Sequence, residues 1–169
     1  TKAGRLSPYF FNAGLIYDGA SLRQLADFYA EAIVQSKIKF DILFGPAYKG
    51  ITLAAATAMM LSERSLNKNF AYSRKEIKDH GEGGNLVGAP LTGQVLIIDD
   101  VISSSRSIRE SISLIQKSGA SPCGVVLSLD RMEKGNGELS ATAEISQEYG
   151  IPVFAIANVH DLLAVSYTH

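Results

Sequence analysis

The chain has 169 residues, 46% apolar and 20% charged, which excludes global disorder and fibrous repeats and is enough to bury a core without covalent staples. Sixteen basic and seventeen acidic residues leave a net charge of −1, so no global basic field exists to hold nucleic acid by its phosphates. Any anion site must be a local cluster on a neutral body.

The start of the chain carries no signal-peptide pattern. Pro8 to Tyr17, with Tyr9, Phe10 and Phe11, differs in character from the rest of the chain, and about the first twenty residues are expected to form a small hood or hairpin outside the main sheet. Ser21 to Ser36 carries Leu22, Leu25, Ala26, Tyr29, Ala32 and Ile33 at helical spacing. Asp41 to Phe44 reads as a strand stopped by Gly45-Pro46, and Ile51 to Leu61 as a largely buried helix, far short of a membrane span. Phe70 to Tyr72 predicts a short strand. Arg74 to Leu91 shows no apolar period and holds four glycines, so it is expected to be a long mobile loop, and a loop of that length in so compact a chain suggests a lid.

Val95 to Ile98 is the cleanest buried strand, followed by a helix from Ser107 to Ser118 with Ile108, Ile112 and Ile115 on one face. Val125 to Leu129 is the next strand. The single cysteine, Cys123, lies in this apolar run and excludes an internal disulfide or a Cys/His zinc site; a buried inert thiol and a reducing, cytoplasmic setting are expected. A helix over Ala141 to Tyr149, a strand over Val153 to Ala157 and a last helix from Asp161 complete the chain. Strands alternating with helices predict a doubly wound α/β domain, with a mostly parallel sheet flanked by helices on both faces. No linker divides the sequence, so one domain over 1–169 is expected. In such sheets ligands lie beyond the carboxyl ends of the strands.

The sharpest chemical feature is the acidic pair Asp99-Asp100 at the end of a buried strand, followed by Val101-Ile102-Ser103-Ser104-Ser105-Arg106-Ser107 and a helix. Such a turn can aim backbone N–H groups at a phosphate, helped by the positive end of the helix. The carboxylates can accept hydrogen bonds from sugar hydroxyls or hold magnesium through water. A polar strand end with serine caps explains the same residues, and both readings stay open at this level. Gly45-Pro46-Ala47-Tyr48-Lys49-Gly50 can form a backbone nest with an ammonium for a pyrophosphate, or be a plain strand-to-helix turn. Arg74, Lys75, Lys78 and His80 place three cations and a histidine on a glycine-hinged segment, which can close over a polyanion or simply be a solvated loop. Phe10-Phe11 can frame a planar ring or sit in the core, and Arg131, just after a strand, suits a carboxylate or a surface pair with Asp130 or Glu133.

The Val95–Ser107 stretch resembles the phosphoribosyl pyrophosphate motif of the type I phosphoribosyltransferases. In that family four apolar residues precede two acidic ones, and a Thr/Gly-rich turn holds the 5-phosphate of the sugar. This chain departs from it with Ser105, where the family usually has glycine, and Arg106, where it often has threonine. Arg74 to Gly84 is similar, nearly residue for residue, to the lid of the orotate-using branch, as are Ser7–Gly14, Phe44–Gly50 and Ser128–Arg131. The resemblance runs from about Lys2 to about Leu163; against it, the chain is expected to lack an N-terminal helix and some C-terminal residues.

The resemblance implies transfer of ribose 5-phosphate from phosphoribosyl pyrophosphate to N1 of orotate, giving orotidine 5′-phosphate and pyrophosphate in pyrimidine nucleotide synthesis. Asp99 and Asp100 would hold the ribose, with Ser103 to Ser107 anchoring the 5-phosphate and Val101 and Ile102 also contacting substrate. Lys49, Arg74, Lys75 and magnesium would hold pyrophosphate, with Tyr48 also contacting substrate, and Lys78 and His80 would close over it as it leaves. Phe10, Phe11 and Arg131 would receive the base, and Lys2 aligns with a substrate-contacting lysine. Magnesium would be bound mainly through the substrate, with no dedicated protein metal ligands. The implied assembly is a homodimer whose lid is shared across subunits, with no membrane partner. Two rivals remain at this level: a phosphoribosyltransferase for another base, such as a purine, and a non-catalytic module that senses phosphoribosyl pyrophosphate.

Overall fold

The structure is a computed structural model that describes residues 12–78, 84–102, 105–135 and 137–166. A short 3-10 turn at Ala13–Leu15 leads into α1, Gly19–Ser36. The Asp18 carboxylate starts that helix by accepting hydrogen bonds from the N–H groups of Ala20 and Ser21, and Lys37 ends it in a left-handed conformation. Then come β1 (Ile42–Gly45), α2 (Lys49–Glu63), β2 (Asn69–Lys78), β3 (Gly84–Gly88), β4 (Gln94–Asp99), α3 (Arg106–Lys117), β5 (Ser121–Asp130), α4 (Ala141–Tyr149), β6 (Val153–Asn158) and α5 (Val159–Ser166).

The six strands form one sheet in the order β3-β2-β1-β4-β5-β6, parallel throughout except for the antiparallel edge strand β3. This is the doubly wound, mostly parallel sheet the sequence predicts. Its strands are apolar without alternation because both faces are covered. On β4, Val95 and Ile97 pack in the layer that holds Ile108, Ile112 and Ile115 of α3 and Ala141 and Ile145 of α4. The intervening Leu96 and Ile98 pack in the opposite layer, with Ala26, Tyr29 and Ile33 of α1 and Leu53, Met60 and Leu61 of α2. The chain leaves β1 toward β2 on one side and returns to β4 on the other. The strand order therefore reverses between β1 and β4, and their carboxyl ends, Gly45 and Asp99, flank the crevice where this architecture binds ligands.

One segment differs from expectation. Much of the stretch expected to be loop between Arg74 and Leu91 is a hairpin: β2 runs on to Lys78 and pairs antiparallel with β3, Tyr72 opposite Val87 and Ser73 opposite Leu86. The polar residues carry no helix or strand period because an edge hairpin has little to bury; its order comes from backbone ladders rather than from an apolar face. The tip, 79–83, lies outside the described residues. The expected hood also falls largely outside them, at 1–11. Cys123 sits half-buried where β5 shifts register against β4, and burial pushes its thiol up to about 11, which keeps it protonated and unreactive. No helix among the described residues is long and apolar enough to cross a membrane.

Candidate active site

The turn after β1 is built from close backbone approach. A side chain on Gly45 would place its Cβ 1.9 Å from the Gly50 carbonyl oxygen, and one on Gly50 would meet the Pro46 ring at 2.6 Å. Only glycine at both positions lets the turn fold back directly into α2. The Ala47 N–H donates to the Ser73 hydroxyl of β2 at 3.1 Å, tying the turn to the neighbouring strand. Lys49 is the first residue of α2, and its ammonium lies 2.6 Å from an Asp100 carboxylate oxygen. Beside it, Tyr48 is exposed and carries the Lys75 ammonium 4.7 Å from its ring centroid.

The turn after β4 holds the acidic pair. Asp99 ends the strand, and its carboxylate accepts from the Asp100 N–H at 2.9 Å; the Asp100 carboxylate in turn accepts from the Val101 N–H at 2.8 Å. Burial pushes the Asp99 carboxyl up to about 7, and the negative charge of Asp100 adds to the effect, while the Lys49 cation acts against both. Asp100 is itself 6% exposed and has Lys49 as its counter-ion. Two near-buried carboxylates with one ammonium form a site ready to accept hydroxyl donors.

Beyond the pair, the candidate phosphate residues separate by role. Ile102 is buried in the core and anchors the turn, so only its backbone can face a ligand; Val101 is half-buried. Ser105 precedes α3 in the left-handed region, φ 56°, and its buried hydroxyl has no hydrogen-bond partner. This is the position where the resemblance led us to expect glycine, and the backbone angle is the one glycine adopts at no steric cost. Arg106 does not turn inward: it is exposed and bonds Glu110 one helical turn on, at 2.7 Å. A cavity of about 720 Å³ does bring Arg106 and Ser107 together with Ala47, Ser73, Arg74 and Lys75. Asp99, Asp100 and Lys49 are not among its walls.

Arg131 follows β5 with its side chain 8% exposed, and one of its terminal nitrogens lies 2.6 Å from a Glu133 oxygen. Asp130 is not that partner; its carboxylate accepts from the Met132 N–H and the Thr142 hydroxyl and so shapes the turn that presents Arg131. Lys78 is placed as the last residue of β2. Lys2, Phe10, Phe11, His80, Ser103 and Ser104 lie outside the described residues. Two residues absent from the sequence-derived site touch it from behind: Tyr29 and Ser128 meet the backbone of the acidic pair. The available signal was a tyrosine within an apolar helix stripe, whose hydroxyl needs a partner once buried. Among the described residues, no group of three or more His, Cys, Asp or Glu could hold a metal ion.

An acidic pair and a cation-bearing turn flanking the switch point of a doubly wound sheet define the phosphoribosyltransferase class, and the family described as "Phosphoribosyl transferase domain" matches residues 13–149. The orotate phosphoribosyltransferase of Neisseria meningitidis serogroup C is 68% identical over 162 residues, covering 96% of this chain and 76% of that protein. That of Laribacter hongkongensis is 65% identical over 163 residues, with the same coverage. A crystal structure of orotate phosphoribosyltransferase from Francisella tularensis superposes with a TM-score of 0.89 at 44% identity, covering all of this chain and 82% of that one. The chain belongs to the orotate phosphoribosyltransferase family of type I phosphoribosyltransferases.

Proposed function

We propose that this chain catalyses the reaction of orotate with phosphoribosyl pyrophosphate to give orotidine 5′-phosphate and pyrophosphate. The observation that carries the reading is the Asp99-Asp100 pair at the switch point, with Lys49 held against it and Arg74 and Lys75 on β2, the other neighbour of β1.

Breaking the bond at the anomeric carbon leaves positive charge on the sugar and new negative charge on pyrophosphate. Asp99 and Asp100 accept from the ribose hydroxyls and lie near the developing cation. Lys49 has three ammonium donors and its side chain is half-exposed, so it can keep its bond to Asp100 while donating to a phosphate oxygen. Arg74 and Lys75, with Lys78 and His80, complete the positive surround of the leaving group. Backbone N–H groups of 103–107 and the orphaned Ser105 hydroxyl receive the 5-phosphate at the start of α3. Arg131 pairs with the orotate carboxylate, and Phe10 and Phe11 frame the ring.

The donor set suits a magnesium ion carried in on the substrate: two carboxylates at one strand end are too few for a protein cage, but can bind a hydrated metal through its waters. Such an ion neutralises phosphate charge. The assembly is a homodimer of cytoplasmic protein in which Lys78 and His80 serve the neighbouring subunit. Verified heterodimers of a Lys78→Ala subunit with an Asp99→Asn/Asp100→Asn subunit should then recover part of the activity; heterodimers as inactive as their parents would rule out shared sites.

The deciding experiment adds phosphoribosyl pyrophosphate and magnesium with either orotate or hypoxanthine and measures pyrophosphate release. Release with orotate alone is expected. Release only with hypoxanthine, or with neither base, would reject the reading in favour of a purine enzyme or a sensor.

A further inference from the structure

Tyr29 is a fully buried residue of α1, yet its hydroxyl reaches two polar atoms of the sheet it packs on: the Asp99 carbonyl oxygen at 2.8 Å and the Ser128 hydroxyl of β5 at 2.5 Å. A carbonyl can only accept, so the tyrosine proton points at Asp99. Ser128 must therefore donate its own proton to the tyrosine oxygen. The result is a directed chain from Ser128 through Tyr29 to the Asp99 carbonyl, in which each bond polarises the next. Burial pushes the phenol pKa far up, so Tyr29 remains a donor. The backbone of β5 grips the following residue as well: the N–H groups of Ser128 and Leu129 donate to the Asp100 carbonyl at 2.9 and 3.3 Å. Both carbonyls of the acidic pair are thus tied down from behind, while N–H groups of the same turn orient both carboxylates in front.

We propose that Tyr29 and Ser128 are positioning residues that set the height and direction of the Asp99-Asp100 pair against the sugar. The inference rests on the reading that this pair binds the ribose of phosphoribosyl pyrophosphate. It assigns a role in binding to a helix whose other buried residues only pack. The Asp99 carbonyl lies past the last β4 residue that β1 pairs with, Ile97 opposite Phe44, and the Tyr29 hydroxyl stands in for the missing ladder donor there.

The test compares Tyr29→Phe, Ser128→Ala, their combination and Asp100→Asn. Each single hydroxyl deletion is isosteric apart from one oxygen. Each is expected to lower kcat/KM for phosphoribosyl pyrophosphate about tenfold, while the KM for orotate stays within about twofold. Because the two hydroxyls form one chain, the double variant should lose little more than the worse single. Single variants within about twofold of the parent for the sugar donor would overturn the proposal, as would equal losses toward both substrates together with a lowered Tm, the mark of general loosening. If Tyr29→Phe fails to fold, Ser128→Ala carries the same comparison. The Asp100→Asn arm separates the two levels: a large loss there with neutral hydroxyl variants rejects this inference alone. Unchanged sugar-donor kinetics in Asp100→Asn rejects the underlying site and the inference with it.

Discussion

The two turns that flank the crevice solve the same geometric problem with different residues. After β1, the chain reverses through glycine at both crowded points, and no residue with a side chain takes a positive φ before α2 starts. After β4, the corresponding position is Ser105, which adopts the left-handed conformation with a side chain in place and leaves a buried hydroxyl unpaired. The first turn is limited by space and the second by conformation and polarity. Crowding of backbone against backbone is unforgiving, because neither partner can move aside. A left-handed serine is merely costly, and the cost falls within what a folded domain can carry.

The contrast can be broken most sharply at Gly45. Gly45→Ala drives a methyl into the Gly50 carbonyl and should destabilise the protein by roughly 3 kcal/mol or more, read by chemical denaturation. A change within about 0.5 kcal/mol would mean the turn is not limited by space. Next in size is the charge on the first turn. Lys49→Ala strips Asp100 of its counter-ion and the leaving group of a cation, and should lower turnover about 10²–10³-fold in the pyrophosphate-release assay. Turnover within about tenfold of the parent would place the pyrophosphate elsewhere.

The second turn should respond in the opposite sense. Ser105→Gly relieves the left-handed serine and removes the orphaned hydroxyl, at the expense of a more flexible unfolded chain, for a net stabilisation of about 1 kcal/mol. Destabilisation on that substitution would show that Ser105 has a compensating contact. The last test is a pH slope. Asp99 takes up a proton more readily when folded, about 7 against 3.8, so its contribution is fully present below about pH 4 and is lost as pH rises through about 7. Tm measured across that window should fall for the parent relative to Asp99→Asn. Parallel curves would mean the carboxyl is not held in a charge-averse place.

Sequence patterning reached the sheet because fully buried strands read as unbroken apolar runs, as in Val95 to Ile98, and the helices because Ile108, Ile112 and Ile115 recur at helical spacing. It did not reach the β2–β3 hairpin, whose residues bury little and whose order is a matter of backbone pairing. At the site, Asp99, Asp100 and Lys49 were legible as chemistry, since carboxylates after a buried strand and a lysine in a glycine turn are locally conspicuous. Tyr29 was legible only as packing: its helical stripe says that it is buried, and nothing nearby in the chain says that its hydroxyl meets Asp99, seventy residues on. Arg106 shows another limit: charge is visible in a sequence but its direction is not, and the i,i+4 carboxylate of Glu110 draws this one along the helix.

By itself, then, the amino-acid order determined the alternation of strands and helices, the class of sheet they build, and which turns carry charge, because these depend on periodicity and composition within a few residues. Only the tertiary structure decided that Lys49 meets Asp100, that Ser105 occupies a glycine conformation, and that α1 and β5 brace the acidic pair from behind. Those facts join residues tens of positions apart, or fix a backbone angle that no side-chain pattern encodes. They arise from the order in which strands line up across the sheet.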